Sequence, residues 1–185
     1  GLTDDFNGAR KEGFGLWQMT IRDGLRASTS NAFLRPVMHR SNLTVTTGAM
    51  VNRVLLEGRT AVGVSCTVGG RSVHFKARKE VILSGGAINS PQLLLLSGVG
   101  PAGELAAHGI KVAADLPGVG KNLQDHLNLS VLAKTHDPIS LAGIASGFKA
   151  MRALGQFLYK RTGPGTTNGA ESGGFYASPL SPGRP

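Results

Sequence analysis

The chain has 185 residues, of which 41% are hydrophobic and 17% are charged. This composition is typical of a folded globular protein and argues against a long disordered segment. The 27 glycines follow no collagen period and therefore indicate turns and close backbone approaches. The formal net charge of +9 permits an anionic partner, but Lys and Arg are spread along the sequence and only 5% of residues are aromatic. A solvated basic surface is therefore favoured over nucleic-acid binding.

The cysteine count and the absence of long apolar runs limit the class of protein further. One cysteine, Cys66, excludes an internal disulfide and a cysteine-based metal cluster. The sequence shows neither a signal peptide nor an apolar run that predicts a membrane span. The chain starts at Gly1 rather than Met, so these observations say little about the compartment, for which the cytoplasm is favoured.

The first half of the chain changes from loop-like to strand-like sequence. Residues 1–30 are predicted to be mostly loop, and a short helix is expected at residues 32–34, limited by Pro36. Runs typical of strands follow at 43–47, 49–57, 61–68 and 72–77. The third run places Val62, Val64, Cys66 and Val68 on one face. Glycine turns at 58–60 and 69–71 separate the last three runs and predict a small antiparallel meander.

The stretch at 79–100, KEVILSGGAINSPQLLLLSGVG, predicts a strand, a glycine turn and a buried helix. The apolar run at 81–83 is typical of a strand covered on both faces, and Gly85 and Gly86 permit a tight turn or a close approach. Ser90 and Pro91 are typical of a helix start. Because ligands bind at the carboxyl ends of strands in open α/β sheets, the turn is a candidate ligand contact.

Further elements are expected downstream of this stretch. A short helix at 101–108, closed by Gly109, should lead into an extended segment at 110–116 and a turn at 117–120. A strand is expected at 129–134. Apolar residues at helical spacing predict a helix over 140–161, and the final residues are rich in turn formers without a predicted closing element.

Several other motifs have a structural explanation. The G-x-G-x-x-G match at 98–103 follows a helix rather than a strand, which argues against a dinucleotide fingerprint. Asp125 and His126 are a candidate acid–base pair, although structural hydrogen bonding is favoured for adjacent residues. Cys66 is expected to be a buried, inert thiol, and the histidines lack metal-ligand spacing. Glu171, in NGAESGGF, is either a pocket carboxylate or an exposed loop acid, and residue chemistry alone leaves both open.

The sequence GAINSPQLLLLSGVGP at 86–101, followed by DLPGVGKNLQDH at 115–126, resembles the second signature of the glucose-methanol-choline flavoprotein oxidoreductases, especially their choline-dehydrogenase-like branch. The resemblance continues in three further stretches, at 5–29, 40–64 and 161–175. It therefore covers nearly the whole chain with several motifs in family order.

This resemblance implies a mixed α/β fold with two parts. Residues 1–130 would be an incomplete portion of a doubly wound FAD-binding domain that carries the antiparallel meander, and residues 131–185 the truncated start of a substrate-binding domain. The implied cofactor is FAD. The implied reaction is oxidation of an alcohol at its CH–OH carbon, with hydride transfer to the flavin.

Individual residues match family positions. Val51 matches a valine whose backbone meets the adenine of FAD, and Ser84, Gly85 and Gly86 match a small-residue turn close to the cofactor, where the family usually has Ala in place of Gly85. Glu171 matches a carboxylate that lies near the substrate ammonium in choline-oxidising members. The family's phosphate-binding glycine motif and its catalytic His with a second His or Asn have no match, so we assign no catalytic residue and no metal ligand.

The resulting hypothesis is an internal portion of an FAD-dependent alcohol dehydrogenase or oxidase. We expect the isolated chain to be inactive, and its parent to use a small-molecule alcohol and an electron acceptor that the sequence does not identify. The alternative is a non-catalytic binding module, or the product of a decayed gene, that kept the family scaffold and binds an anionic partner through its basic surface.

Overall fold

The computed structural model describes residues 1–131, 141–144 and 147–180, and the chain divides into two compact units. One, the continuous unit, is Thr44–Ser130; the other, the split unit, joins Gly1–Leu43 to Val131–Pro185. The assignment of residues 1–130 to an FAD-binding domain and of 131–185 to a substrate-binding domain stays a prediction. In chain order the strands and helices are β1 (Gly13–Leu16), β2 (Ile21–Arg22), β3 (Leu25–Arg26), β4 (Ala49–Glu57), β5 (Thr60–Val68), β6 (Arg71–Lys76), α1 (Gly86–Leu96), β7 (Val99–Gly100), α2 (Ala102–Ala107), β8 (Ala114–Asp115), α3 (Gly147–Lys160) and β9 (Ser172–Phe175).

The continuous unit is built on the antiparallel meander β4–β5–β6, which confirms the prediction from alternating residues. Cys66 lies at its centre, opposite Val51 on one side and Val73 on the other, and is only 2% exposed. Gly69 and Gly70 form the second hairpin turn with φ of 55° and 78°, the left-handed backbone that a two-residue type I′ turn requires.

Helix α1 is fixed to the meander by one hydroxyl group. The Val54 N–H donates to Ser97 Oγ at 2.8 Å, and the same Oγ donates to the Leu93 carbonyl at 2.6 Å. Val54 is 8% exposed, so this hydrogen bond lies at the edge of the small core. The end of α1 and the middle of β4 are therefore held in one position relative to each other.

Two details of the predicted strand–turn–helix stretch are wrong. Residues 81–83 form no strand, because no other described segment pairs with their backbone. Val81 and Leu83 line an apolar cavity of about 130 Å³ with Val54, while Ile82 is 75% exposed. Helix α1 begins at Gly86 rather than at Ser90, and Pro91 lies inside it. The run predicted as a strand at 43–47 also forms none.

The rest of the continuous unit follows the predicted order. Helix α2 ends as expected before Gly109, whose φ is 67°, and Leu105 anchors it at 2% exposure. Strand β8, in the predicted extended segment, pairs in parallel with β7. The Asp115 carboxylate accepts a hydrogen bond of 3.0 Å from the Ala102 N–H and so ties β8 to the start of α2.

In the split unit, the structure has more strand than the sequence predicts. Strand β1 pairs with β9 antiparallel, and β2 pairs with β3. The prediction that residues 1–30 are mostly loop is confirmed, since these strands cover eight of the 30 residues, whereas the expectation of no closing element near the end is wrong. Asp23 and Gly24, with φ of 51° and 69°, form the tight turn between β2 and β3. The predicted short helix is a helical turn at Ser30–Leu34, and Pro36 lies in a following turn at Arg35–Val37, where proline is tolerated at the first positions.

The long helix predicted near the end is confirmed as α3, which is preceded by a single 3₁₀ turn at Leu141–Ile144. Residues 129–131 are not a strand, and the remainder of the strand predicted at 129–134 lies outside the described residues, as do residues 140, 145 and 146 of the predicted helix. Among the described residues, no helix combines the length and apolar character needed to cross a bilayer.

Replacing Ser97 by Ala should destabilise the continuous unit by about 1–2 kcal/mol, because the Val54 N–H loses its hydroxyl acceptor at the edge of the core. Urea unfolding followed by circular dichroism measures this change. The matched control is Ser72→Ala on exposed strand β6, which should shift the midpoint little. Equal effects of the two substitutions would contradict the role of Ser97.

Candidate functional site

The turn before α1 combines a tight first turn with an open outer face. The Gly85 N–H donates to Ser90 Oγ at 2.9 Å, and a Cβ at position 85 would lie 3.0 Å from the Cβ of Asn89. Gly86 has φ of 81°, and a Cβ there would meet nothing within 4 Å. Ser84, Gly85 and Gly86 are all exposed. The turn therefore leaves backbone accessible to a bulky group at the start of a helix.

Val51 lies beside an irregularity in strand β4. The register between β4 and β5 shifts between Val51 and Arg53, so Asn52 is an extra residue, and its Nδ2 donates to Thr67 Oγ1 at 2.9 Å. Because of this bulge, Val51 and Val54 pair with alternate residues of β5 and share one face of the sheet. A bulge also frees backbone groups from the ladder, which is how such sites contact ligands.

These two features are linked through α1. Its C-terminal end is hydrogen-bonded to β4 through Ser97, and its N-terminal end carries the Ser84–Gly86 turn. A helix of 11 residues is roughly 16 Å long, so α1 holds the Ser84–Gly86 turn about that far from its hydrogen bond with β4.

Two of the three glycines in the 98–103 match serve packing, whereas a Cβ at Gly103 would meet nothing within 4 Å. A Cβ at Gly98 would overlap the Lys111 carbonyl, and a Cβ at Gly100 would overlap the Leu95 side chain. Their close neighbours belong to the chain itself, which supports the interpretation that this match is not a phosphate cradle.

Strands β1 and β9 fit together because each aromatic residue faces a glycine. Gly13 lies opposite Phe175, and Phe14 lies opposite Gly174. A Cβ at Gly173 would overlap the indole of Trp17, which therefore covers that glycine. Phe6, 7% exposed, packs its ring 4.4 Å from that of Trp17 and 5.5 Å from that of Phe175. Three rings thus cover one face of this two-stranded ladder.

Glu171 stands at the open end of the same ladder. The Trp17 N–H donates to the Glu171 carbonyl at 2.9 Å, which continues the pairing beyond β9. Side chains alternate along an extended strand, so Glu171 belongs to the face of Gly173 and Phe175, next to the Trp17 indole. The carboxylate is exposed. Its backbone position is therefore fixed by the ladder while its charge remains accessible.

The split unit contains a cavity of about 770 Å³ that the sequence did not predict. The β2–β3 hairpin, the helical turn after it, α3 and the loop before Glu171 form its wall, and Met19, Arg26, Ser28, Phe33, Phe157 and Asn168 are among its lining residues. It combines apolar surface with a few polar groups, as small-molecule sites do. The Asp23-Gly24 dipeptide was the available signal, since it predicts the hairpin.

The remaining candidates show only local roles. Asp125 Oδ1 accepts a hydrogen bond of 2.8 Å from the N–H of His126, and both residues are exposed. The Cys66 thiol is buried, as expected. Within the described parts of the chain, no group of three or more metal-ligating side chains converges.

A family model described as GMC oxidoreductase matches residues 1–128. The chain belongs to this family. This confirms the resemblance, and the mixed α/β structure with antiparallel strands agrees with solved GMC structures. The positions assigned to Val51, Ser84–Gly86 and Glu171 stay predictions.

Curated relatives are choline dehydrogenases. The human mitochondrial choline dehydrogenase is 48% identical over 177 residues, which are 96% of this chain and 30% of that protein. An oxygen-dependent choline dehydrogenase from Brucella anthropi is 43% identical over 177 residues, 96% of this chain and 32% of its own length. The chain thus spans about a third of the curated relatives it matches.

Solved structures show the same similarity. A formate oxidase from Aspergillus oryzae, studied for modification of its FAD, superposes with a TM-score of 0.73 at 32% identity, covering 84% of this chain and 27% of that one. A fungal aryl-alcohol oxidase superposes with a TM-score of 0.72 at 28% identity, covering 87% and 28%.

Replacing Gly173 by Ala should destabilise the split unit by about 1–3 kcal/mol, because the added methyl group displaces the Trp17 indole from the ladder. Trp17 is the only tryptophan, so its emission should shift to the red as the ring becomes more exposed. Gly155→Ala in α3 is the control, since a Cβ there meets nothing within 4 Å and should stabilise the helix by about 0.5–1 kcal/mol. Unchanged emission in Gly173→Ala would contradict the packing described for Trp17.

Proposed function

We propose that this chain is part of an FAD-dependent oxidoreductase that oxidises CH–OH groups of alcohols, with a choline-like alcohol as substrate. The observation that carries the proposal is the similarity of 96% of the chain to proteins named choline dehydrogenases, at 43% and 48% identity. Since the chain spans only about a third of these relatives, the activity belongs to a longer protein that contains it.

The continuous unit supports FAD binding through its backbone. The Ser84–Gly86 turn would hold the cofactor where the open face of Gly86 permits close approach, and the bulge beside Val51 would offer backbone groups to the adenine. Helix α1 places the turn roughly 16 Å from its hydrogen bond with the strand that carries Val51, which suits an extended dinucleotide. When bound, FAD would supply the hydride acceptor for the alcohol carbon. The residues of this unit would position the cofactor.

The split unit supports a role in substrate binding. Glu171 offers an accessible carboxylate beside the Trp17 ring, and both charge and aromatic faces attract a quaternary ammonium group. No residue of the chain is proposed as the proton acceptor. We therefore propose that residues 1–185 alone bind parts of the ligands without turnover.

The proposal is tested by expressing the 185-residue chain and the complete reading frame that contains it. Alcohol-dependent reduction of a dye should occur with the complete protein and FAD, and be absent with the 185 residues alone. Turnover by the short chain would contradict the proposal that residues 1–185 bind parts of the ligands but do not catalyse the reaction. A complete protein that binds no FAD would favour the non-catalytic module instead.

In the complete protein, Gly86→Val should lower the FAD content of the purified enzyme at least fivefold, because the side chain occupies the open face above the turn. Gly58→Val is a matched control: Gly58 also has positive φ, 60° against 81°, and also has no neighbour within 4 Å of a Cβ. Both substitutions impose similar backbone strain, so equal FAD losses would remove Gly86 from the proposed contact. Flavin absorbance per protein measures the content.

Glu171→Gln should raise the KM for choline up to about fivefold, because the exposed carboxylate loses its charge attraction for the substrate ammonium. The KM for 3,3-dimethylbutan-1-ol, in which carbon replaces the nitrogen, should change little. Glu12→Gln, another exposed carboxylate of the split unit, is the control. Equal losses for the charged and neutral alcohols would count against an electrostatic role of Glu171.

A further inference from the structure

Three residues of β4, at 53–55, pair with β5 one residue out of step with both ends of the strand. Residues 49–51 pair with 66–68, and residues 56–57 pair with 60–61, in one common register. Between them, residues 53–55 pair with 63–65, so that Asn52 on β4 and Val62 on β5 have no opposite residue in this ladder. A regular ladder could keep both ends unchanged and place Asn52 opposite Ser65.

The pairing determines which backbone groups of Val51 are available. In an antiparallel ladder, pairs that exchange hydrogen bonds alternate with pairs that do not. The Ala77 N–H donates to the Val62 carbonyl at 2.9 Å, so Val62, and by alternation Cys66, direct their backbone groups towards β6 and away from β4. Val51, which lies opposite Cys66, therefore directs its N–H and carbonyl away from β5, to the open edge of the described sheet.

The hydrogen bond of Val54 agrees with this alternation. Its N–H donates to Ser97 Oγ at 2.8 Å and not to β5. Val51 and Val54 are three residues apart, whereas in a regular strand residues an even number apart point to the same edge. In the regular ladder Val54 would lie opposite Gly63 and turn its N–H towards β5. The shift by one residue therefore allows the anchor of α1 and the backbone of Val51 to use the same edge.

A side-chain hydrogen bond holds the end of the shifted segment that lies next to Val51. Asn52 Nδ2 donates to Thr67 Oγ1 at 2.9 Å, and Thr67 lies on β5 beside the residue that pairs with Val51. The other end is held by the buried side chain of Val54 and its bond to Ser97. Losing the Asn52 bond would therefore leave α1 anchored and loosen the backbone at Val51.

We propose that Asn52 and Thr67 are positioning residues for the cofactor, because their hydrogen bond holds the Val51 backbone in place for the adenine of FAD. This inference rests on the proposed function, from which it takes the contact between Val51 and adenine. An adenine edge offers an amino donor beside a ring-nitrogen acceptor, and a backbone carbonyl and N–H that point to the same edge of a strand are complementary to it. Neither positioning side chain needs to touch the cofactor.

The experiment measures flavin binding by the complete protein after its flavin has been removed. Fluorescence titration gives the Kd for FAD and for its hypoxanthine analogue, in which an oxygen replaces the adenine amino group. The unchanged protein should bind FAD about tenfold more tightly than the analogue, because the analogue lacks the amino donor. Thr67→Val should raise the Kd for FAD about fivefold and lower this preference to about twofold, as should Asn52→Ala.

Three controls separate positioning from a loss of structure. Thr67→Ser keeps the hydroxyl acceptor and should keep the preference for FAD. Asn52→Ala combined with Thr67→Val should lose no more than either substitution alone, because both remove the same bond. Ser72→Ala is the matched control, since Ser72 is exposed and lies opposite Thr67 on β6. Thermal unfolding followed by circular dichroism should change little in all of them, because Asn52 is exposed.

Three results would overturn the inference. They are equal binding of FAD and the analogue by the unchanged protein, equal losses for both ligands in Thr67→Val, and additive losses in the double variant. Equal losses for both ligands would indicate a merely structural role. A complete protein that binds no FAD would contradict the proposed function itself, whereas normal FAD binding by all variants would remove only the role of Asn52 and Thr67.

Discussion

The hydroxyl of Ser97 is the interaction on which the continuous unit depends. It accepts from the Val54 N–H and donates to the Leu93 carbonyl, so one atom joins a strand to the last turn of a helix. Few side chains are fully buried in this unit, with Val54, Ser65, Cys66 and Leu105 below a tenth exposed. Because the core is so small, the directional hydrogen bond of Ser97 largely determines the position of α1 on the meander. Both candidate cofactor contacts depend on this bond, since the turn lies at the start of α1 and Val51 lies on β4.

In the split unit, complementary side-chain shapes rather than a single hydrogen bond hold the elements in position. Glycines on β1 and β9 lie opposite aromatic residues, and the Trp17 and Phe6 rings fill the space that the missing side chains leave. A shift of register by one residue in one direction would bring Phe14 opposite Phe175, and a shift in either direction would move Glu171 to the other face. The placement of the carboxylate is therefore a consequence of glycine positions several residues away from it.

The sequence predicted those elements whose signal is local. The alternation in β5, the glycine turns and the helical spacing in α3 depend on neighbours within a few residues, and all three are present. Residues 81–83 were misjudged because an apolar run reports burial and not a hydrogen-bonding partner, and the start of α1 because Ser90 bonds backwards to Gly85 from within the helix. The pairing of β1 with β9 could not be predicted, since glycine-rich strands have little β-propensity and the partners lie far apart in sequence. For the candidate site, motif resemblance supplied the residues, whereas the bulge at Asn52 and the position of Trp17 beside Glu171 needed the pairing of strands.

The pairing of β1 with β9 also sets an order of events during synthesis. Residues 44–130 form an uninterrupted segment, and the hairpins of its meander make contacts that are local in sequence. This unit can therefore fold as soon as it has left the ribosome. Strand β1 is made before this unit, and until Phe175 has been made it can pair only with the segment at Gly1–Thr3. Within this chain, β1 therefore completes its sheet after the continuous unit has been synthesised.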